Sequence, residues 1–158
     1  MAARYLRALF DVNVKSMYWM TRAVLPQMLA NGGGSVVCTS SISAVYATPN
    51  EVLYDATKGA VHMFARAIAV EFRDRGIRCN AVAPGVTVTP MVEHRLDDPG
   101  FRKMQTEMTP HTRLGRVDDI ASTVAFLCSA HAGFITGAAY PVDGGLTSVA
   151  VPRYRGSV

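Results

Sequence analysis

The chain has 158 residues, 49% of them hydrophobic and 18% charged, with a net charge of +4 from 16 basic and 12 acidic side chains. That length can bury the core of one domain, and that composition excludes an intrinsically disordered chain. Basic residues never run beyond pairs and do not alternate with aromatics, and no apolar run reaches the length of a membrane span, so neither nucleic acid nor membrane is an expected partner.

Residues 3 to about 30 place Leu6, Leu9, Phe10, Val14, Met17, Tyr18, Val24, Leu25, Met28 and Leu29 at helical spacing. Arg4 and Arg7 mimic a transit peptide, but Asp11 and the lack of a cleavage-like site favour a plain helix. Pro26 is expected to bend its last turns, and Asn31-Gly32-Gly33-Gly34 to stop it. These glycines precede a strand, whereas a phosphate cradle follows one, so they read as a turn. Ser35–Thr39 is the first buried strand, closed by Ser40-Ser41-Ile42-Ser43. A helix containing Tyr54 runs to about Asp74 and is ended by Gly76.

Ile77–Ala83 is the second strand, followed at once by Pro84-Gly85. Residues 86–112 are polar, rich in Pro and Met, and weakly periodic, which predicts a long loop or short-helix excursion covering a site. Val117–Ser129 reads as an amphipathic helix with Asp118 and Asp119 in its first turn, and Ala138–Val142 as a third strand. The tail, 148–158, is expected to be loose. Cys38, Cys79 and Cys128 are odd in number and lie in apolar contexts, which predicts buried thiols of a reducing cytoplasm. Strands alternating with helices imply an α/β fold with a parallel sheet and helices on both faces. Three strands are few for so much helix, so the chain is expected to be part of a larger unit.

Tyr54 and Lys58 are one helical turn apart and share a face. A phenol is a weak acid, with an ordinary pKa of about 10. A lysine ammonium roughly 5 Å away, at an effective dielectric of ~20, favours the phenolate by about 3 kcal/mol. On that estimate the tyrosine comes within reach of neutral pH as a general acid/base. The pair alone is common by chance, usually a lysine stem lying over a ring. Its setting is less common. Ligands of such sheets bind beyond the carboxyl ends of the strands, and Ser40-Ser41, Pro84-Gly85 and the start of the Tyr54 helix all converge there.

The chain resembles the C-terminal part of a short-chain dehydrogenase/reductase over about residues 4 to 147. Val12-Asn13-Val14-Lys15 is similar to that family's helix asparagine segment, and Ser41 stands thirteen positions before Tyr54, as the family spacing requires. Tyr54-Asp55-Ala56-Thr57-Lys58, Asn80–Pro90, and Phe134-Ile135-Thr136-Gly137 through Val142-Asp143-Gly144-Gly145 resemble the Y-x-x-x-K helix, the nicotinamide loop and the closing strand, in that order. The resemblance implies the C-terminal part of a doubly wound Rossmann-like sheet, in one unit over 1–147. It also implies NAD or NADP as cofactor and an alcohol or ketone substrate.

In that reading Tyr54 exchanges the proton, Lys58 lowers the tyrosine pKa and holds the ribose, Ser41 hydrogen-bonds the substrate oxygen, and Asn13 holds a water leading to Lys58. Pro84 and Gly85 shape the turn, Thr87 meets the carboxamide through its backbone, and Thr89 covers the phosphate side. No G-x-G-x-x-G turn occurs, so the family's first half is expected to be missing, and with it the residue that chooses NAD or NADP. A homodimer or homotetramer is implied through helices 3–30 and 54–74.

Other readings stay open from the residues alone. Ser40 or Ser43 could take the place of Ser41, Asn13 could be an ordinary helix residue, and Thr87 and Thr89 ordinary strand formers. His62, His94, His111 and His131 form no ligand-spaced cluster, so no metal is expected. The whole chain could be a non-catalytic, dimerising remnant, or a sugar-nucleotide epimerase or dehydratase, whose related fold shares Y-x-x-x-K, although the closing Val142-Asp143-Gly144-Gly145 strand and the short C-terminal part speak against the latter.

Overall fold

The computed structural model describes residues 3–149. Most of the tail expected to be loose lies outside them; within them the chain closes on a short 3₁₀ turn, Leu146–Ser148. The elements are α1 (Ala3–Phe10), a π-helical segment (Asp11–Lys15), α2 (Ser16–Ala30), β1 (Gly34–Thr39), α3 (Val52–Glu71) and β2 (Ile77–Pro84). There follow α4 (Pro90–Leu96), α5 (Pro99–Met108), α6 (Val117–Cys128) and β3 (Ala139–Val142). Among the described residues no helix is long and apolar enough to cross a membrane.

The three strands form one parallel sheet in the order β1-β2-β3. Its two faces follow from the two-residue alternation of a strand. On one face Cys38, Cys79 and Ala81 meet Val61, Ala65 and Ala69 of α3, with Met17, Phe64 and Ile68 packed around them. Ser35 and Arg78, paired across β1 and β2, point the other way and meet α6. Helices therefore cover both faces, as the alternating pattern predicts. The Arg78 guanidinium donates to the carbonyls of Leu127 at 2.8 Å and Ser129 at 3.1 Å, so a cation closes the negative end of α6.

Glycine is required where β1 and β2 begin. Gly76 has φ +71°, and a Cβ on Gly33 would overlap the Gly76 carbonyl oxygen. Two expectations need correction, for the first helix and for Cys128, while the short-helix alternative for 86–112 is met. The first helix is not plain: Asp11–Lys15 winds as a π-helix, with Ser16 N–H donating to the Asp11 carbonyl, while Pro26 is accommodated inside α2. Residues 86–112 hold two helices, each with a proline in its first turn, and Asp98 caps α5 by accepting from Gly100 N–H at 2.8 Å. Cys38 and Cys79 are buried but Cys128 is exposed, because its neighbour Leu127 takes the inward position of the last turn of α6.

Candidate active site

The carboxyl end of β1 runs into Ser40 and Ser41, whose hydroxyls are used differently. Ser40 Oγ donates to the Lys58 carbonyl at 2.9 Å and so fastens the strand end to α3. Ser41 Oγ accepts from Ser43 N–H at 3.1 Å, capping a 3₁₀ turn. Accepting leaves its own proton free to be donated outward. Asp55 steadies the start of α3 by accepting from Thr48 N–H at 3.0 Å.

Tyr54 and Lys58 lie one above the other, with Nζ 5.5 Å from the ring centroid. The expected fall in the tyrosine pKa does not follow from this stacking. Burial raises the phenol above its ordinary value. A hydrogen bond with the Ser41 side chain draws it down, and the Glu51 and Asp55 carboxylates push it up again, for a net rise. The pairwise estimate left out both desolvation and those two carboxylates. Lys58 is only 9% exposed, donates to the Thr39 carbonyl at 3.2 Å, and has its own pKa lowered by burial.

Asn13 does not touch Lys58 directly. Its amide donates to Thr57 Oγ1 at 3.0 Å, and Thr57 Oγ1 in turn donates to the Tyr54 carbonyl at 2.8 Å. Thr57 was missed in the sequence, although a threonine inside a helix commonly bonds back one turn.

At the end of β2, Gly85 N–H donates to the Val142 carbonyl at 3.1 Å, and a Cβ on Gly85 would sit 2.9 Å from Asp143 Cα. No other residue fits that turn unshifted. Beyond it, Gly115 bonds Val86 O and Val88 N in a parallel bridge opposite Thr87. In a parallel bridge of this kind the Thr87 N–H and C=O point away from Gly115. Thr89 stands at the N-cap of α4, but its side chain makes no capping bond. Those uncommitted groups fit the carboxamide and phosphate side of a nicotinamide cofactor.

A cleft of about 570 Å³ opens at the ends of β2 and β3 and shares Gly85 and Val86 with this turn. Three of its charged groups, Arg113, Asp119 and Asp143, are committed to the fold. Arg113 holds Asp119 through two bonds, at 2.7 and 2.9 Å, and Asp143 accepts from Gly145 N–H, Thr147 N–H and Thr147 Oγ1. Among the described residues no group of three or more His, Cys, Asp or Glu could hold a metal ion.

A family model described as enoyl-(acyl carrier protein) reductase matches residues 1–147. The chain belongs to the short-chain dehydrogenase/reductase family. It is 38% identical over 138 residues to 2-(R)-hydroxypropyl-CoM dehydrogenase of Xanthobacter autotrophicus, covering 87% of this chain and 55% of that protein. Its structure is similar to a gluconate 5-dehydrogenase from Burkholderia cenocepacia in complex with NADP and tartrate. For that pair the TM-score is 0.92 and the identity 33%, over 95% of this chain and 59% of the other. It is also similar to a 7α-hydroxysteroid dehydrogenase complexed with NADH and 7-oxo glycochenodeoxycholic acid, with a TM-score of 0.88 and 31% identity, over 92% and 56% of the two chains. The chain thus spans little more than half the length of these relatives. The fold is the Rossmann-like α/β sheet of the family.

Proposed function

We propose that this chain carries the catalytic rim of a NAD(P)-dependent oxidoreductase that interconverts an alcohol and a ketone. The observation that carries this reading is Lys58 Nζ lying 5.5 Å from the Tyr54 ring beside the end of β1, where the Ser41 side chain acts on the phenol and lowers its pKa. The nicotinamide, when bound, accepts or supplies hydride. Tyr54 donates its proton to the substrate oxygen in reduction and takes it back in oxidation. Ser41 donates its free proton to the same oxygen as charge builds there. Lys58 holds the ribose side, with Asn13 behind Thr57 on the route to solvent. Thr87 would hold the carboxamide through its backbone, Thr89 would face the phosphates, and Pro84 and Gly85 keep the turn low enough for both. α4 and α5 would cover the substrate, with Met91, Met104 and Met108 as apolar lining.

Because burial raises the Tyr54 pKa, the phenol is protonated at neutral pH and suited to donating. Ketone reduction should therefore be level through neutral pH and fall as the phenol ionises, while alcohol oxidation climbs over the same range. The buried Cys38 and Cys79 thiols accord with a cytoplasmic setting. Self-association through helices 3–30 and 54–74 is supported by the exposure of Trp19, Met20, Met63 and Val70. The same exposed faces support the second reading, a dimerising module without turnover.

The deciving experiment for the two readings is an assay of a panel of secondary alcohols, polyols and hydroxysteroids with NAD and with NADP, followed by the absorbance of reduced nicotinamide. Turnover with one cofactor supports the enzyme. No turnover and no cofactor binding, with a stable dimer in sedimentation, would replace it with the module.

A further inference from the structure

We propose that Thr57 is a positioning residue for the Tyr54 phenol, linking the turn that carries Tyr54 and Lys58 to the π-helical segment through Asn13. The inference deepens the dehydrogenase reading and rests on it for its effect on turnover. Thr57 is 0% exposed and stands between Tyr54 and Lys58 in one helical turn. Its hydroxyl has one proton, which goes to the Tyr54 carbonyl at 2.8 Å. The oxygen is then left as acceptor for the Asn13 amide at 3.0 Å, so the direction of both bonds is determined. The bond from Asn13 joins positions 44 residues apart, on two different helical segments.

The π-helical winding of Asp11–Lys15 explains how Asn13 arrives there. Widening one turn rotates the residues within it relative to an uninterrupted α-helix, and such widened turns are frequent at functional sites. A helix carbonyl that accepts a side-chain hydroxyl in addition to its helical donor is held in place twice over. Here the carbonyl held is that of the residue bearing the phenol. The carboxylates that bear on the phenol, Glu51 and Asp55, and the Lys58 ammonium beside it lie outside this link. Loss of the link therefore acts on where the phenol sits and leaves the charges around it in place.

Three variants test this: Thr57→Val, which keeps the shape and removes both bonds; Thr57→Ser, which keeps the hydroxyl; and Asn13→Ala, which cuts the same link from the other helix. The first readout is the ¹³Cζ resonance of Tyr54 in tyrosine-labelled protein, assigned with Tyr54→Phe, which reports the link whether or not the chain turns over. The second is kcat and KM with the cofactor and substrate found above. Thr57→Val and Asn13→Ala should each shift or broaden the Tyr54 resonance and lower kcat by roughly 10- to 100-fold, with cofactor KM unchanged. The double variant should be no worse than either alone, and Thr57→Ser should restore both readouts. If Thr57→Val does not fold, Asn13→Ala and Thr57→Ser decide. A Tyr54 resonance unchanged in Asn13→Ala, or Thr57→Ser behaving like Thr57→Val, would overturn the proposal. Absence of turnover in the unaltered protein, with the resonance responding as described, would instead count against the dehydrogenase reading alone.

Discussion

The ends of β1 and β3 face the same side of the sheet and use their polar groups in opposite ways. Around Asp143, Arg113 and Asp119 each charge is matched by bonds within the fold. The bonds from Arg113 and from Arg116 N–H hold the Asp119 carboxyl well below its usual range. Burial pushes Asp143 up, but the bonds from Thr147 and Gly145 outweigh it and leave it lowered. At the end of β1 the Ser41 hydroxyl is turned to the Tyr54 phenol, which burial holds above its ordinary pKa, and after β2 the Thr87 backbone and the Thr89 hydroxyl make no bond within the fold. One rim uses its polar groups to hold its own backbone. The other leaves several of them without a partner in the fold.

Substitutions should separate the two behaviours. The largest effect is expected at the other, amino end of β2, where Arg78→Met removes the cation and its bonds to the Leu127 and Ser129 carbonyls at the end of α6. It should cost about 3 kcal/mol in urea unfolding, with turnover per folded molecule retained. Ser41→Ala should do the reverse, lowering kcat roughly 10²-fold while changing stability by about 1 kcal/mol from the lost cap. Asp143→Ala should cost about 2 kcal/mol. The depressed Asp143 pKa means that its contribution is present above the ordinary carboxylate range and is lost as pH falls through the folded value. The variant should accordingly show a shallower loss of stability in acid. The smallest effect is expected for Thr87→Ala, which should leave cofactor affinity nearly unchanged, since the contact proposed for Thr87 is through its backbone and its hydroxyl donates to the Gly85 carbonyl. A large loss there would blur the distinction between the rims.

The sheet, its parallel order and the placing of Ser41, Tyr54 and Lys58 on one edge were legible from β-branched runs, helical spacing and turn residues. Each depends on local pattern, and local pattern survives in a sequence. The π-helical turn was not legible, because Val12-Asn13-Val14 satisfies either winding and the contact that accompanies it, Asn13 with Thr57, is far away in the chain. Arg78 carried no signal of its own within the second strand. Its purpose appears only when the last turn of α6 lies over it. The direction of the Tyr54 pKa was misjudged for a similar reason: a pair of residues shows a charge and a spacing, but not how much water the fold removes. Ser40 and Ser41 could not be told apart by spacing beyond the family pattern, whereas their bonding separates a fastening to α3 from a hydroxyl turned to the phenol.

The claim on which the rest depends is that the Tyr54 phenol is the proton-transfer group of a nicotinamide-dependent reaction. It is tested most directly by comparing the unaltered protein with Tyr54→Phe for turnover and, separately, for binding of reduced cofactor by fluorescence. Turnover lower by roughly 10³-fold with cofactor affinity retained is the predicted result. Equal turnover in the two proteins would contradict it.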